Sequence, residues 1–216
     1  NVDSLGHYLT GLGVLAAAAQ RWPAVRACWD QGRFKLLSHE IADLDELTSY
    51  LLDEWKPTPY ERWWHQAQLS KVPANIWKLR NEKSSAEARV LDAHLVPMQK
   101  NCFNPIFGTG GNIARRNLPK LWTGAQALLK SPQRREWLEA TLCGVADCSM
   151  PKLSGGGSWF VFANKTFNTG QEWFREGRLS PWSVLLSTEG AFQLVGGVNR
   201  RMGARSQPYA VFPFVS

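Results

Sequence analysis

The residues of this sequence best suited to chemistry cluster in one loop, Asn104-Pro105-Ile106-Phe107-Gly108-Thr109-Gly110-Gly111-Asn112. Gly108, Gly110 and Gly111 permit positive φ and let backbone approach a ligand closely. Together with Thr109 they are the candidates for a phosphate nest built from backbone N–H groups. Arg115 and Arg116 follow directly, suited to clamp the same phosphate backbone or to read a guanine edge. Asn112 and Lys120 join them as candidate DNA contacts, with Arg200 and Arg201 behind. The loop lacks the Gly-Lys-Ser/Thr ending of a nucleotide-hydrolysing P-loop and the third glycine of a dinucleotide fingerprint. The same glycines serve a tight structural turn equally well.

Little else points to catalysis. His7, His39, His65 and His94 are scattered, and no nucleophile, zinc or paired-carboxylate pattern accompanies them. Cys143 and Cys148 have a loose metal spacing, but no close Cys or His pair completes a zinc site. With Cys28 and Cys102 they read as free thiols of a reducing compartment. The sequence therefore suggests no catalytic residue, no metal and no cofactor. Tyr60, Arg62 and Trp63-Trp64-His65 place aromatics beside a cation, which suits base stacking but suits packing better.

Charge is segregated. The net charge is +7, and residues 93–135 contain no acid. Lys100, Arg115, Arg116, Lys120, Lys130, Arg134 and Arg135 lie there and equal the whole excess. Residues 190–216 are also free of acid and carry Arg200, Arg201 and Arg205, whereas residues 40–61 are acidic. A basic surface of this kind attracts a polyanion by counterion release. A solvated basic face with no partner is the plainer reading.

The elements that must position these residues are mainly helices. Asp3 or Ser4 caps a helix whose apolar stripe is Leu5, Tyr8, Leu9, Leu12, Leu15, Ala16 and Ala19, ending near Pro23. Gln31-Gly32 predicts a turn before a strand at 33–37. Helices follow at 43–52, 86–95, 118–129 and 133–143, the last with Ser131 as cap and Pro132 in its first turn. Lys56-Pro57-Thr58-Pro59 is extended. Ser154–Ser158 reads as a flexible glycine run, and Trp159–Ala163 as a buried strand or an anchor. The clearest helix runs from Pro181 to about Arg201. It is apolar nearly all round and hence buried, with Glu189 on the side of Trp182, Leu185 and Leu186 and needing a partner there. A strand covers 209–215. Most of the eleven tryptophans belong to the core. No run is apolar enough to span a membrane. The class is α+β, mostly helical with a few short strands, in one domain over 1–216 or an ordered fragment of a larger subunit.

These blocks, in this order, resemble one family. LGHYLTGLGVLAAAAQ, GRFKL, WKPTP, NPIFGTGGN, SPWSVLLSTEGAFQLVGGVNRRMG and AVFPFVS match the order of motifs in the large subunit of the subtype I-G (formerly I-U) CRISPR surveillance complex. The family loop continues after GGN with acidic or glycine residues; here Ile113-Ala114-Arg115-Arg116 stands instead. The segment from Pro59 to Asn104 is short, and the family protein is several hundred residues longer, so the resemblance implies a fragment. It further implies a non-catalytic subunit of a prokaryotic cytoplasmic ribonucleoprotein in antiviral defence. Its partners are guide RNA, target double-stranded DNA near a flanking motif (PAM), other subunits of the complex and a helicase-nuclease recruited in trans. Two other readings stand beside it. One is pure architecture, holding guide RNA and neighbouring subunits. The other is a nucleic-acid-processing enzyme using the glycine loop.

Overall fold

The computed structural model describes residues 4–60, 78, 80–96, 102–107, 117–144, 148–153, 159–160, 178–199 and 209–211. They form a mostly helical α+β structure in which every sheet is a two-stranded antiparallel pair. The chain divides into two compact units, Asn1–Pro57 with Lys120–Gly190, and Thr58–Pro119 with Ala191–Ser216.

In the first unit, helix α1 spans Leu5–Arg21, and Ser4 caps it by accepting the His7 N–H. The buried face is not the leucine stripe that the sequence favours. Leu5 is 39% exposed, Ala19 is exposed, and Tyr8, Leu12, Leu15 and Ala16 are half-buried. Of that stripe Leu9 alone is buried, alongside Gly6, Thr10, Gly11, Gly13, Val14, Ala17 and Ala18. The reason is backbone proximity. A Cβ on Gly13 would stand 1.8 Å from the Leu186 carbonyl oxygen, and one on Gly190 would stand 1.9 Å from the Leu9 oxygen.

Leu186 and Gly190 belong to the late helix, α6, Pro181–Ala191. The contact is reciprocal, because each glycine lies four residues after the leucine whose carbonyl meets the other helix. Leu186 beside Gly13 and Gly190 beside Leu9 mean that the helices pass in opposite directions. Each glycine hydrogen points at a carbonyl oxygen, the geometry of a weak Cα–H···O contact. Every residue of α6 is buried. Two of its hydroxyls are satisfied inside the helix, with Thr188 and Ser187 donating to the Val184 carbonyl at 2.8 and 3.1 Å, and that of Ser183 meets the Thr141 hydroxyl at 3.3 Å. Leu185 and Leu186 are fully buried, each contributing about 1.5–3 kcal/mol.

The hairpin and α2 of the first unit pack on α1. Strands β1 (Arg26–Asp30) and β2 (Arg33–Leu37) form a hairpin in which Arg26 faces Leu37 and Asp30 faces Arg33. Gln31 (φ 49°) and Gly32 (φ 76°) both have positive φ, as the tight turn that matches strand twist requires. The sequence shows the turn and β2 but hides β1, whose inner face has only Ala27 and Trp29. Trp29 stacks on Tyr8 at 5.6 Å, and Phe34 packs on Gly11.

Helix α2 (Leu44–Asp53) begins at Asp43, whose carboxylate accepts the Glu46 N–H at 2.9 Å. Tyr50 donates to the Ala17 carbonyl at 3.0 Å. In the second unit, α3 (Ser85–His94) opens with a capping box between Ser84 and Glu87. Helix α4 spans Asn117–Leu128 and crosses the division between the units.

Two boundaries differ from expectation. Helix α5 covers Arg134–Cys143 and has no side-chain cap. Ser131 instead closes the preceding turn, its hydroxyl accepting the Gln133 N–H. Helix α6 stops at Ala191, ten residues short. Gly196 and Gly197 disfavour continuation, and β5 (Gly197–Asn199) pairs with β6 (Tyr209–Val211). At 159–160 the chain is a turn rather than a strand, with Trp159 buried and Phe160 against Gly6. Ser154–Ser158 and 161–163 lie outside the described residues. Trp22, Trp55, Trp122, Trp137, Trp159 and Trp182 are all buried, which makes them core rather than stacking surface.

The glycine contact is testable by substitution. Gly13→Ala and Gly190→Ala each force backbone apart and are expected to cost about 1–3 kcal/mol or more, lowering the melting temperature by several degrees. Gly124→Ala in α4 meets only Leu153 Cδ2 at 3.8 Å. It is expected to leave stability unchanged or raise it by up to about 1 kcal/mol through helix propensity. Thermal melts of the three variants check this.

Candidate nucleic-acid interface

The glycine loop starts from a stem that the second unit fixes in place. Helix α3 ends at His94 and runs into β3 (Leu95–Val96), which pairs with β4 (Cys102–Phe103). The Asn104 N–H then donates to the His94 carbonyl at 2.8 Å. Asn104 is completely buried. Its amide nitrogen donates to the Ala93 carbonyl at 2.8 Å and to the Leu194 carbonyl at 3.3 Å, and its oxygen accepts the Ile106 N–H at 3.0 Å. An asparagine bonding backbone two residues on is a turn initiator, and the short helical turn Pro105–Phe107 follows.

Phe107, 1% exposed, stacks on His94 with ring centroids 3.8 Å apart. His94 is held at both nitrogens. Nδ1 lies 2.7 Å from the Val90 carbonyl, and Nε2 lies 2.7 Å from the Tyr60 hydroxyl. Complete burial pushes the Tyr60 phenol well above its ordinary range, so it remains an O–H donor. Nδ1 faces the Val90 carbonyl and Nε2 faces the neutral Tyr60 hydroxyl, so both ring nitrogens are engaged. Phe192 closes the cluster, edge-on to Tyr60 at 5.3 Å. The stem is thus set by hydrogen bonds and ring contacts up to Phe107.

Gly108, Thr109, Gly110, Gly111, Asn112, Arg115, Arg116, Arg200 and Arg201 lie outside the described residues, as do Arg62 and Trp63-Trp64-His65. Lys120 is the sequence candidate that the structure places. It is exposed on α4, as is Lys130 just beyond that helix, and neither forms an ion pair among the described residues. No acidic residue occupies the first turn of α4, where the helix dipole favours anions rather than a lysine.

Two other cations of the acid-free stretch are not available in the same way. Arg134 bonds Asp53 at 3.1 Å, and Arg135 bonds Glu139 at 2.8 Å and Asp45 at 3.4 Å. Asp45 and Asp53 sit on α2, in the acidic segment. The fold therefore brings part of the basic stretch against part of the acidic one, in exposed pairs contributing about 0–1 kcal/mol each. Asn199 is strand, so Arg200 does not follow a helix end as the sequence suggests.

Cys28, Cys143 and Cys148 are free thiols. Among the described residues no group of three His, Cys, Asp or Glu side chains is placed to hold a metal, and no helix is long and apolar enough to cross a membrane. No protein-family model matches the chain, and a search of the curated proteins finds no match.

Sequence reasoning treats Asn104 as part of the loop and His94 as one of four scattered histidines. The structure makes them its anchor. The Asn104-Pro105 pair, a turn-initiating dipeptide, is the signal that marks the position. Tyr60→Phe removes the buried hydroxyl that stands 2.7 Å from Nε2 of His94 and is expected to cost about 1–3 kcal/mol near neutral pH. The phenol's folded pKa is raised, so its contribution is complete below about pH 10 and is lost as pH rises above that value. The stability gap between wild type and variant, measured by denaturant melts near pH 8 and again near pH 11, is expected to shrink at the higher pH.

Proposed function

We propose that this chain is a non-catalytic, nucleic-acid-binding part of the large subunit of a subtype I-G CRISPR surveillance complex. In this reading the segment Gly108–Arg116 meets target duplex DNA near the flanking motif. The backbone N–H groups of Gly108, Thr109, Gly110 and Gly111 donate to a phosphate, and Asn112, Arg115, Arg116 and Lys120 extend the contact. Arg200 and Arg201 form a second cationic segment. Base pairing with guide RNA reads the target, while protein reads the flanking motif and backbone shape. Neighbouring subunits and a helicase-nuclease acting in trans complete the machinery, in a prokaryotic cytoplasm.

The observation that carries the reading is the buried anchor at Asn104 and Phe107. A phosphate nest works when its N–H groups converge before the ligand arrives, because ordering them on binding costs affinity. One asparagine spends three hydrogen bonds and one phenylalanine a buried ring stack on holding the chain at the foot of this loop. An exposed lysine at the start of the following helix, with no acid in that turn, adds a cation that the helix itself does not favour.

A second, purely architectural reading has one observation in its favour. Arg134 and Arg135, two of the seven cations in the acid-free stretch, are committed to Asp53, Asp45 and Glu139. That charge binds the chain to itself.

The test compares wild type with Arg115→Ala/Arg116→Ala in the assembled complex, using duplex that carries the flanking motif over a salt series. The double variant is expected to assemble, to bind more weakly and to show a salt slope shallower by about 1.8, the share of two phosphate contacts. Unchanged affinity and slope in an intact complex would contradict the reading. Failure of Arg115→Glu/Arg116→Glu to assemble at all would favour architecture.

A further inference from the structure

The hairpin Arg26–Leu37 has a face that the first unit leaves open. Its inner residues, Ala27, Trp29, Phe34 and Leu36, are half-buried. Trp29 and Phe34 meet edge to face at 5.1 Å and are seated on Tyr8 and Gly11 of α1. The ribbon is therefore mounted on a helix rather than free. Its outer residues, Arg26, Cys28, Asp30, Arg33, Lys35 and Leu37, are all exposed. Cross-strand register sets them in three successive levels: Asp30 with Arg33, Cys28 with Lys35, and Arg26 with Leu37.

One cation stands at each level. Arg33 and Lys35 lie on β2, and Arg26 lies on β1 one level further on. Residues two apart on a strand are about 7 Å apart, close to the separation of neighbouring phosphates along one nucleic-acid strand. The single acid on this face, Asp30, is bonded to Lys35. Arg26 and Arg33 form no ion pair among the described residues.

We infer that the outer face of this hairpin binds the phosphate backbone of a single nucleic-acid strand, with Arg33 and Arg26 each meeting a phosphate and Lys35, paired with Asp30, lying between them. The cations form one diagonal file. A duplex groove presents two backbones and would call for a row of cations along each edge of the ribbon, whereas β1 supplies Arg26 alone. Exposed Leu37, at the end of the file, offers apolar surface to a base or sugar. An acidic polypeptide would also be attracted by charge, but its carboxylates follow no fixed spacing matched to the three levels. The inference concerns residues apart from the glycine loop and does not rest on the reading of that loop.

Cys28 supplies a built-in reporter, since its thiol lies in the middle level between the cations. In the full chain, a twenty-nucleotide oligothymidylate is expected to slow maleimide labelling of Cys28 while leaving the exposed Cys143 unaffected, as read by mass spectrometry of each cysteine. Arg26→Ala/Arg33→Ala removes two exposed side chains and is expected to weaken binding of that oligonucleotide, with a salt slope shallower by about 1.4. Unchanged labelling of Cys28 at saturating oligonucleotide would overturn the inference, whatever the variant does. So would protection by a duplex of equal length but not by the single strand. Equal protection by polyglutamate would assign the face to an acidic protein and overturn it as well.

Discussion

The first unit rests on a contact between two backbones. Leu9 and Gly13 on α1, and Leu186 and Gly190 on α6, meet so closely that neither glycine has room for a methyl group. Larger residues on the same helices sit elsewhere as a result. Leu5, Leu12 and Leu15 of α1 lie away from this contact, while Tyr8 and Gly11 receive the hairpin and Gly6 receives Phe160. Helix α6, enclosed on all sides, satisfies the Ser187 and Thr188 hydroxyls from its own Val184 carbonyl. It also orients α5, because Trp182 donates to the Arg134 carbonyl at 2.8 Å and Ser180 donates to the Trp137 carbonyl at 2.9 Å. That orientation brings Arg134 and Arg135 to the acids of α2. A steric constraint at two glycines thus reaches the distribution of surface charge.

The second unit solves a different problem, the fixing of a loop stem. Tyr60, His94, Asn104, Phe107 and Phe192 form an aromatic and polar cluster tied together by hydrogen bonds at Tyr60, His94 and Asn104. Burial keeps the phenol neutral beside the imidazole, and the imidazole in turn supports the Phe107 ring. Such a cluster favours one chain path over many. This is why the proposed phosphate contact is argued from Asn104 rather than from the glycines alone.

Local chemistry is what the sequence makes legible. Ser4 starts a helix because a side chain and a nearby N–H decide the matter within one turn, whereas the caps at Asp43 and Ser84/Glu87 set the starts of α2 and α3 one residue from where the apolar pattern puts them. Gln31-Gly32 marks its turn for the same reason. The buried face of α1 is not legible in that way, because leucine spacing outweighs glycine spacing until the partner helix is known. The end of α6 is hidden as well, since apolar residues continue through Val198 while the chain itself turns to pair with 209–211. At the candidate site, the acid-free stretch is visible in the sequence, but its partial neutralisation by Asp45 and Asp53 depends on tertiary contacts. His94 and Tyr60, 34 residues apart, carry no local signature at all.

Photo-crosslinking maps the contacts directly. The full chain, bound at low salt to a thiouridine-containing strand and separately to a duplex carrying the same photoreactive base, is digested and sequenced by mass spectrometry. The expected crosslinks fall within 108–116 for the duplex and on the outer face of 26–37 for the single strand, with α5 unmarked because its arginines are paired. Crosslinks concentrated on α5, or none above background on either segment, would contradict the account.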